Sequence, residues 1–102
     1  MDAISDYTYT IPEIKSIVAP IAKMHGVAKV CLFGSYARKE ATKTSDVDLL
    51  IESGEIQTLV ALGGFYADLE EGLQKKIDII TEDGMDKDFY NAIKKEEVTI
   101  YG

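Results

Sequence analysis

The sequence predicts an α/β fold in which helices pack on one small sheet of about four strands. Three observations carry this expectation. Short runs rich in β-branched and large apolar residues, Val27–Phe33, Val47–Ile51, Lys76–Thr81 and Val98–Tyr101, read as strands. Between them lie segments whose apolar residues recur every three or four positions, the spacing of a helix that buries one face. The two kinds alternate along the chain, which implies helices layered on a sheet but does not order its strands.

Residues 1–9 are polar with two tyrosines and read as a loose N-terminal arm. Thr10-Ile11-Pro12-Glu13 has the form of a capping box: Thr10 caps, Pro12 is tolerated in the first turn, and Glu13 can reach back to the cap. Ile14, Ile17, Val18, Ile21 and Ala22 then form a helical stripe. Pro20 removes one backbone bond, which predicts a kink or an early end, and Gly26 is the expected terminator. Val27–Phe33 reads as a buried strand, with Cys31 a small hydrophobe within it. Ser35 to Glu40 or Ala41 reads as a short helix, 42–45 as a polar connection, and Val47–Ile51 as a second strand closed by Ser53-Gly54. Gln57–Leu73 reads as a helix through Leu59, Leu62, Tyr66, Leu69 and Leu73. Gly63-Gly64 weakens its centre by about 1 kcal/mol per glycine relative to alanine. After the strand Lys76–Thr81 come a turn at Glu82-Asp83-Gly84, a helix capped by Asp86 and running to about Glu96, and a short terminal strand. Phe65, Tyr66, Phe89 and Tyr90 are expected to pack helices on the sheet, and the glutamates at 70, 71, 96 and 97 to face solvent. For His25 a cap or dipole contact is expected at a helix end.

A chain of 102 residues fits one domain spanning 1–102. Its net charge of -7 argues against direct nucleic-acid binding, because phosphate neutralisation needs an excess of Lys and Arg. It suits a soluble protein with a basic partner. Cys31 is the only cysteine, so no internal disulfide can form, and a reducing cytoplasm is the natural setting. No apolar run approaches the ~20 residues of a membrane span, and the N-terminus lacks a signal-peptide core.

Three places carry chemistry. At Gly34-Ser35 a strand gives way to a helix, and such a junction presents free backbone N–H groups to an anion. Glycine there permits close approach and serine adds a hydroxyl, although Gly-Ser is also a common turn pair. Asp46 and Asp48 stand one residue apart at the head of a strand, so their side chains share a face and crowd each other unless a cation intervenes. A pair of exposed aspartates capping a loop is the plain alternative. Asp78 interrupts the apolar strand Lys76–Thr81, and a carboxylate in such a strand calls for a partner. If the third strand lies beside the second, Asp78 joins the other two; otherwise it faces solvent on an edge or pairs with Lys75 or Lys76.

Together these residues resemble a known family. Gly34-Ser35, residues 36–45, then Asp46-Val47-Asp48 match the signature of the nucleotidyltransferase superfamily that includes DNA polymerase β. The fuller run from Phe33 to Ile51, with the later Lys76–Thr81, is similar to the minimal nucleotidyltransferases, small catalytic domains that often serve as antitoxins beside a helical HEPN-type toxin. The resemblance covers about residues 25–100 and implies a polymerase β-like fold with a mixed sheet. It implies two Mg²⁺ ions and ATP or another nucleoside triphosphate as substrate, with Asp46 and Asp48 bridging both ions and Asp78 binding one of them while positioning or deprotonating a hydroxyl. Gly34 and Ser35 would hold the β- and γ-phosphates. Arg38, one turn on, could reach the triphosphate or form a surface salt bridge, and Lys39 and Lys43 are weaker candidates. Many relatives carry glycine where this chain has Lys39, which alters the turn or extends the helix. Tyr36 could stack on a base, although core packing is the more ordinary role for it.

For the antitoxin members the resemblance implies transfer of AMP to a tyrosine hydroxyl of the toxin, which would silence an RNase. Two alternatives stand beside it: an antitoxin that only binds and occludes its toxin, and a nucleotidyltransferase acting on a small molecule. Against the latter, the chain lacks the further domain expected to shape a small-molecule acceptor pocket.

Overall fold

The computed structural model describes residues 7–82 and 85–102. Its elements are α1 (Ile11–His25), β1 (Lys29–Phe33), α2 (Gly34–Ala37), β2 (Val47–Glu52), α3 (Leu59–Leu73), β3 (Ile77–Thr81), α4 (Lys87–Lys94) and β4 (Val98–Tyr101). The strands form one mixed sheet in the order β3-β2-β1-β4. β1 runs antiparallel to both β2 and β4, while β3 lies parallel to β2. A parallel neighbour needs a crossover, and α3 supplies it.

The capping box at the head of α1 is formed in both directions: Glu13 N–H donates to Thr10 Oγ1 at 3.3 Å, and Thr10 N–H donates to Glu13 Oε1 at 2.8 Å. Pro20 does not end α1 early: the helix continues to His25. Pro20 is exposed, so the carbonyl that lost its donor can turn to water. Gly26 closes the helix at φ 73°, and Val27 N–H reaches back to the Ala22 carbonyl at 3.0 Å. That closure delays β1 to Lys29, two residues later than the apolar run suggests. Within the expected arm, residues 7–9 are fastened: the Tyr7 hydroxyl bonds Glu13, and the Tyr9 hydroxyl donates to the Leu73 carbonyl at 2.6 Å. Residues 1–6, and Asp83 and Gly84 of the expected turn, lie outside the described residues.

Strand alternation sends two sets of side chains to opposite faces. Val30, Leu32, Val47, Leu49, Ile51, Ile77 and Ile100 form the main core with Ile14, Val18 and Ala22 of α1 and Phe65, Leu69 and Leu73 of α3. Cys31, Phe33 and Leu50 meet Ile93 of α4 in a smaller core on the other face, flanked by Ile80, Met85 and Tyr90. α1 and α3 approach closely at Gly72, where a Cβ would stand 3.2 Å from both Ile17 and Ile21. His25 bonds Asp68 of α3 at 2.6 Å, so its partner is a side chain on a neighbouring helix.

Three expectations about packing are corrected. Leu59 sits at the first position of α3, which starts after the Thr58 cap, and points into solvent at 86% exposure. Phe89 is half exposed and does not seal α4 onto the sheet, a task left to Ile93 and Tyr90. Glu96 and Glu97 follow the end of α4 at Lys94 and are partnered, Glu97 with Lys94 and Glu96 as described below.

Candidate active site

The acids gather at one end of the sheet, on the face that carries α4. The pairings put Phe33 opposite Asp48 and Asp48 opposite Asp78. Asp48 alternates with Leu50 and Asp78 with Ile80, both of which border the smaller core, so the two carboxyls share that face. Asp46 precedes β2 by one residue. The third strand thus lies beside the second, and Asp78 joins the other two acids. Lys75 is not its salt-bridge partner: the ammonium is buried and donates to the Lys43 carbonyl at 2.7 Å.

Crowding has an electrostatic consequence. The carboxyl of Asp48 is pushed from 3.8 up to about 6, first by burial, then by the charge and hydrogen bond of Asp78, with Asp46 adding to it and Arg38 opposing it. A carboxyl in this state binds a proton or a metal ion more readily than an isolated one.

Gly34 makes the close fit possible. Its φ is 74°, and a Cβ on it would overlap Asp48 Oδ2. Glycine at the end of β1 therefore lets the backbone turn left-handed while Asp48 lies against it. Ser35 and Arg38 follow on and just past the short α2, and Tyr36 turns back into the main core at 2% exposure, where it packs and does not face the acids. α2 ends at Ala37, earlier than its sequence suggests. Lys39 adopts φ 61°, the left-handed conformation that glycine favours, so the lysine makes a turn and does not extend the helix. The 42–45 connection is tied internally, with Thr42 N–H donating to Ser45 Oγ at 2.9 Å, and it leads straight into Asp46.

Arg38 is held by acids. Its Nε donates to Glu40 Oε1 at 3.0 Å and its Nη1 to Glu96 Oε1 at 3.1 Å. Glu96 also accepts from the Gly34 N–H at 3.3 Å. It is the residue of this neighbourhood that sequence reasoning missed. It lies 62 positions from Gly34, in a charged run with no local signal. Phe33, Gly34, Arg38, Phe89, Ala92, Ile93 and Glu96 line a cleft of about 290 Å³ beside the acids.

Among the described residues no three His, Cys, Asp or Glu side chains close around a point that a metal ion could occupy. The chemistry of the donors nevertheless fits a hard cation: carboxylates from adjacent strands, one of them raised by burial and by the others.

A four-stranded mixed sheet with helices, carrying Asp48 against the Gly34 turn and Asp78 opposite it, has the architecture of a nucleotide-transfer domain. Residues 11–101 match the nucleotidyltransferase domain family, and the chain belongs to it. A protein of Methanocaldococcus jannaschii, provisionally named a protein adenylyltransferase, is 40% identical over 90 residues, covering 88% of this chain and 97% of that protein. The protein adenylyltransferase MntA of Thermococcus cleftensis is 30% identical, covering 89% of this chain and 96% of its own length. A solved structure provisionally described as a minimal nucleotidyltransferase superposes with a TM-score of 0.76 at 29% identity, over 88% of this chain and 95% of that one. The fold is also that of the MNT antitoxin complexed with the tri-AMPylated HEPN toxin of Shewanella oneidensis, at a TM-score of 0.69 and 13% identity, over 91% and 73% of the two chains. No helix among the described residues is long and apolar enough to cross a membrane.

Proposed function

We propose that this chain is an antitoxin that transfers AMP from ATP to a tyrosine hydroxyl of a HEPN-type toxin and so neutralises it. The observation that carries the reading is the in-register pair Asp48 and Asp78, with Asp46 beside them, packed against the Gly34 turn. The names of the relatives support a protein as acceptor, and the toxin complex of the same fold supports the kind of protein.

In this reading Asp46, Asp48 and Asp78 would be the residues that hold Mg²⁺. When bound, Mg²⁺ neutralises charge on the phosphates and on the attacking and leaving oxygens. Gly34 N–H and Ser35 orient the β- and γ-phosphates, and Arg38 supplies a further cation. Asp78 accepts the proton of the tyrosine hydroxyl. The phenolic oxygen then bonds to the α-phosphorus, the bond from that phosphorus to the bridging oxygen breaks, and pyrophosphate leaves. Such a transfer needs positioning and charge stabilisation more than covalent help, which suits a site built from strand ends and a turn.

The test is to incubate the protein with Mg-ATP and the protein encoded beside it, then weigh both. A partner heavier by one or more AMP units, absent with Asp46→Asn, is the expected result. No adduct, together with inhibition that survives Asp46→Asn, would replace the catalytic reading with occlusion.

A further inference from the structure

Two of the donors assigned to the triphosphate already have an anion. Glu96 Oε1 accepts from the Gly34 N–H at 3.3 Å and from Arg38 Nη1 at 3.1 Å, and Glu96 Oε2 lies 3.3 Å from the same Nη1. One carboxylate thus collects a backbone donor from the β1–α2 turn and a guanidinium just past α2. It comes from a distant part of the chain, the turn between α4 and β4, where Glu96 N–H is held by the Ile93 carbonyl at 3.0 Å. Two donors at opposite ends of α2, a backbone N–H and a guanidinium, converge on one carboxylate from elsewhere in the chain and mark a place shaped for negative charge.

We propose that Glu96 is a resident anion that occupies the triphosphate seat and is displaced when the nucleotide enters, so that it sets the affinity for the nucleotide. The proposal rests on the reading of Gly34 and Arg38 as phosphate donors. A carboxylate and a phosphate oxygen satisfy those donors in the same way, and both cannot lie on one N–H without strong repulsion. Glu96 is able to leave. Its side chain is about one-third exposed. It sits on a connecting turn, whereas α4 is anchored separately through Ile93 and Tyr90. An ion pair this exposed contributes little stability, so a triphosphate can displace it.

Glu40 has the complementary part. It holds Arg38 through Nε, not Nη1, and so keeps the guanidinium aimed at the seat after Glu96 has gone. With Glu96 in place only a fraction of molecules offer an open seat, and the apparent affinity falls by that fraction. Once pyrophosphate leaves, Glu96 refills the seat and opposes its return.

The experiment is calorimetric titration of ATP, pyrophosphate and AMP, each with Mg²⁺, into the wild type and into Glu96→Gln, Glu96→Ala and Arg38→Gln. Both Glu96 variants are expected to bind ATP and pyrophosphate roughly threefold or more tighter than the wild type, and AMP, which lacks the β- and γ-phosphates, no tighter. Arg38→Gln is expected to weaken ATP. A Glu96 that merely braces the fold would give the opposite sign. ATP bound no more tightly by the Glu96 variants, or AMP tightened as much as ATP, would overturn the role of Glu96 while Arg38→Gln still weakens ATP. If Arg38→Gln leaves ATP affinity unchanged, or the wild type does not bind ATP, the phosphate seat falls and the proposal with it.

Discussion

Asp48 of β2 and Asp78 of β3 stand directly opposite each other across a parallel strand pair. Like charges in that relation destabilise a sheet, and an apolar pair would serve the fold better. The cost of that crowding is measurable in protein without added metal.

The first prediction is a stability slope. Asp48 titrates at about 6 in the folded protein and near 3.8 when unperturbed, so the folded state holds this proton more tightly. The stability it contributes is complete below about pH 4 and is lost as pH rises through about 6. Metal-free protein should therefore lose melting temperature across that window. Asp48→Asn should flatten the slope and raise stability at pH 7, or leave it unchanged, by at most ~1–2 kcal/mol once solvent screening is allowed for. A large destabilisation at pH 7 would mean that Asp48 holds the fold through hydrogen bonds.

Gly34 tests the fit between turn and acid. A methyl group there must overlap Asp48 Oδ2 and must occupy φ 74°. Gly34→Ala should cost about 1–3 kcal/mol in denaturant unfolding. If the proposed reading holds, AMP transfer should fall on the order of a hundredfold, because the carboxylate displaced is one of the proposed metal ligands. Transfer at the wild-type rate would show that Asp48 needs no contact with the turn.

Lys39 tests the other left-handed position. With φ 61° it bears a side chain where glycine is unstrained. Lys39→Gly should gain about 0.5–1 kcal/mol in urea unfolding, the relief of strain exceeding the extra entropy of the unfolded chain. A loss of stability would mean that the lysine side chain makes contacts worth more than the strain.

Lys75 tests the approach to Asp46. It is 1% exposed, and its ammonium donates to the Lys43 carbonyl. Lys75→Met keeps the length of the side chain but strands that acceptor, and should cost about 1–3 kcal/mol. Lys75→Arg should recover part of the loss. A neutral Lys75→Met would show that the 42–45 connection is held by its own hydroxyl network alone.

Much of the candidate site was legible because its parts are local in the chain: a strand end at Phe33, a glycine, a serine and two acids one residue apart at the head of the next strand. The capping box of α1 and the Asp86 cap of α4 could be read for the same reason, since caps act over three residues. Pro20 misled because the cost of a proline in a helix depends on whether its orphaned carbonyl meets water, and that depends on which side of α1 packs on α3.

From the sequence alone came the chemistry: a turn suited to an anion, three acids suited to a hard cation, and the family to which such a spacing belongs. Tertiary structure decided the company those residues keep. The order β3-β2-β1-β4 puts Asp78 opposite Asp48, buries Lys75 while Lys76 stays exposed, and brings Glu96 across 62 positions onto Gly34 and Arg38. Strand pairing and salt bridges join groups that are distant in sequence, and the identity of a lysine or a glutamate carries no information about which partner the fold will bring within hydrogen-bond reach.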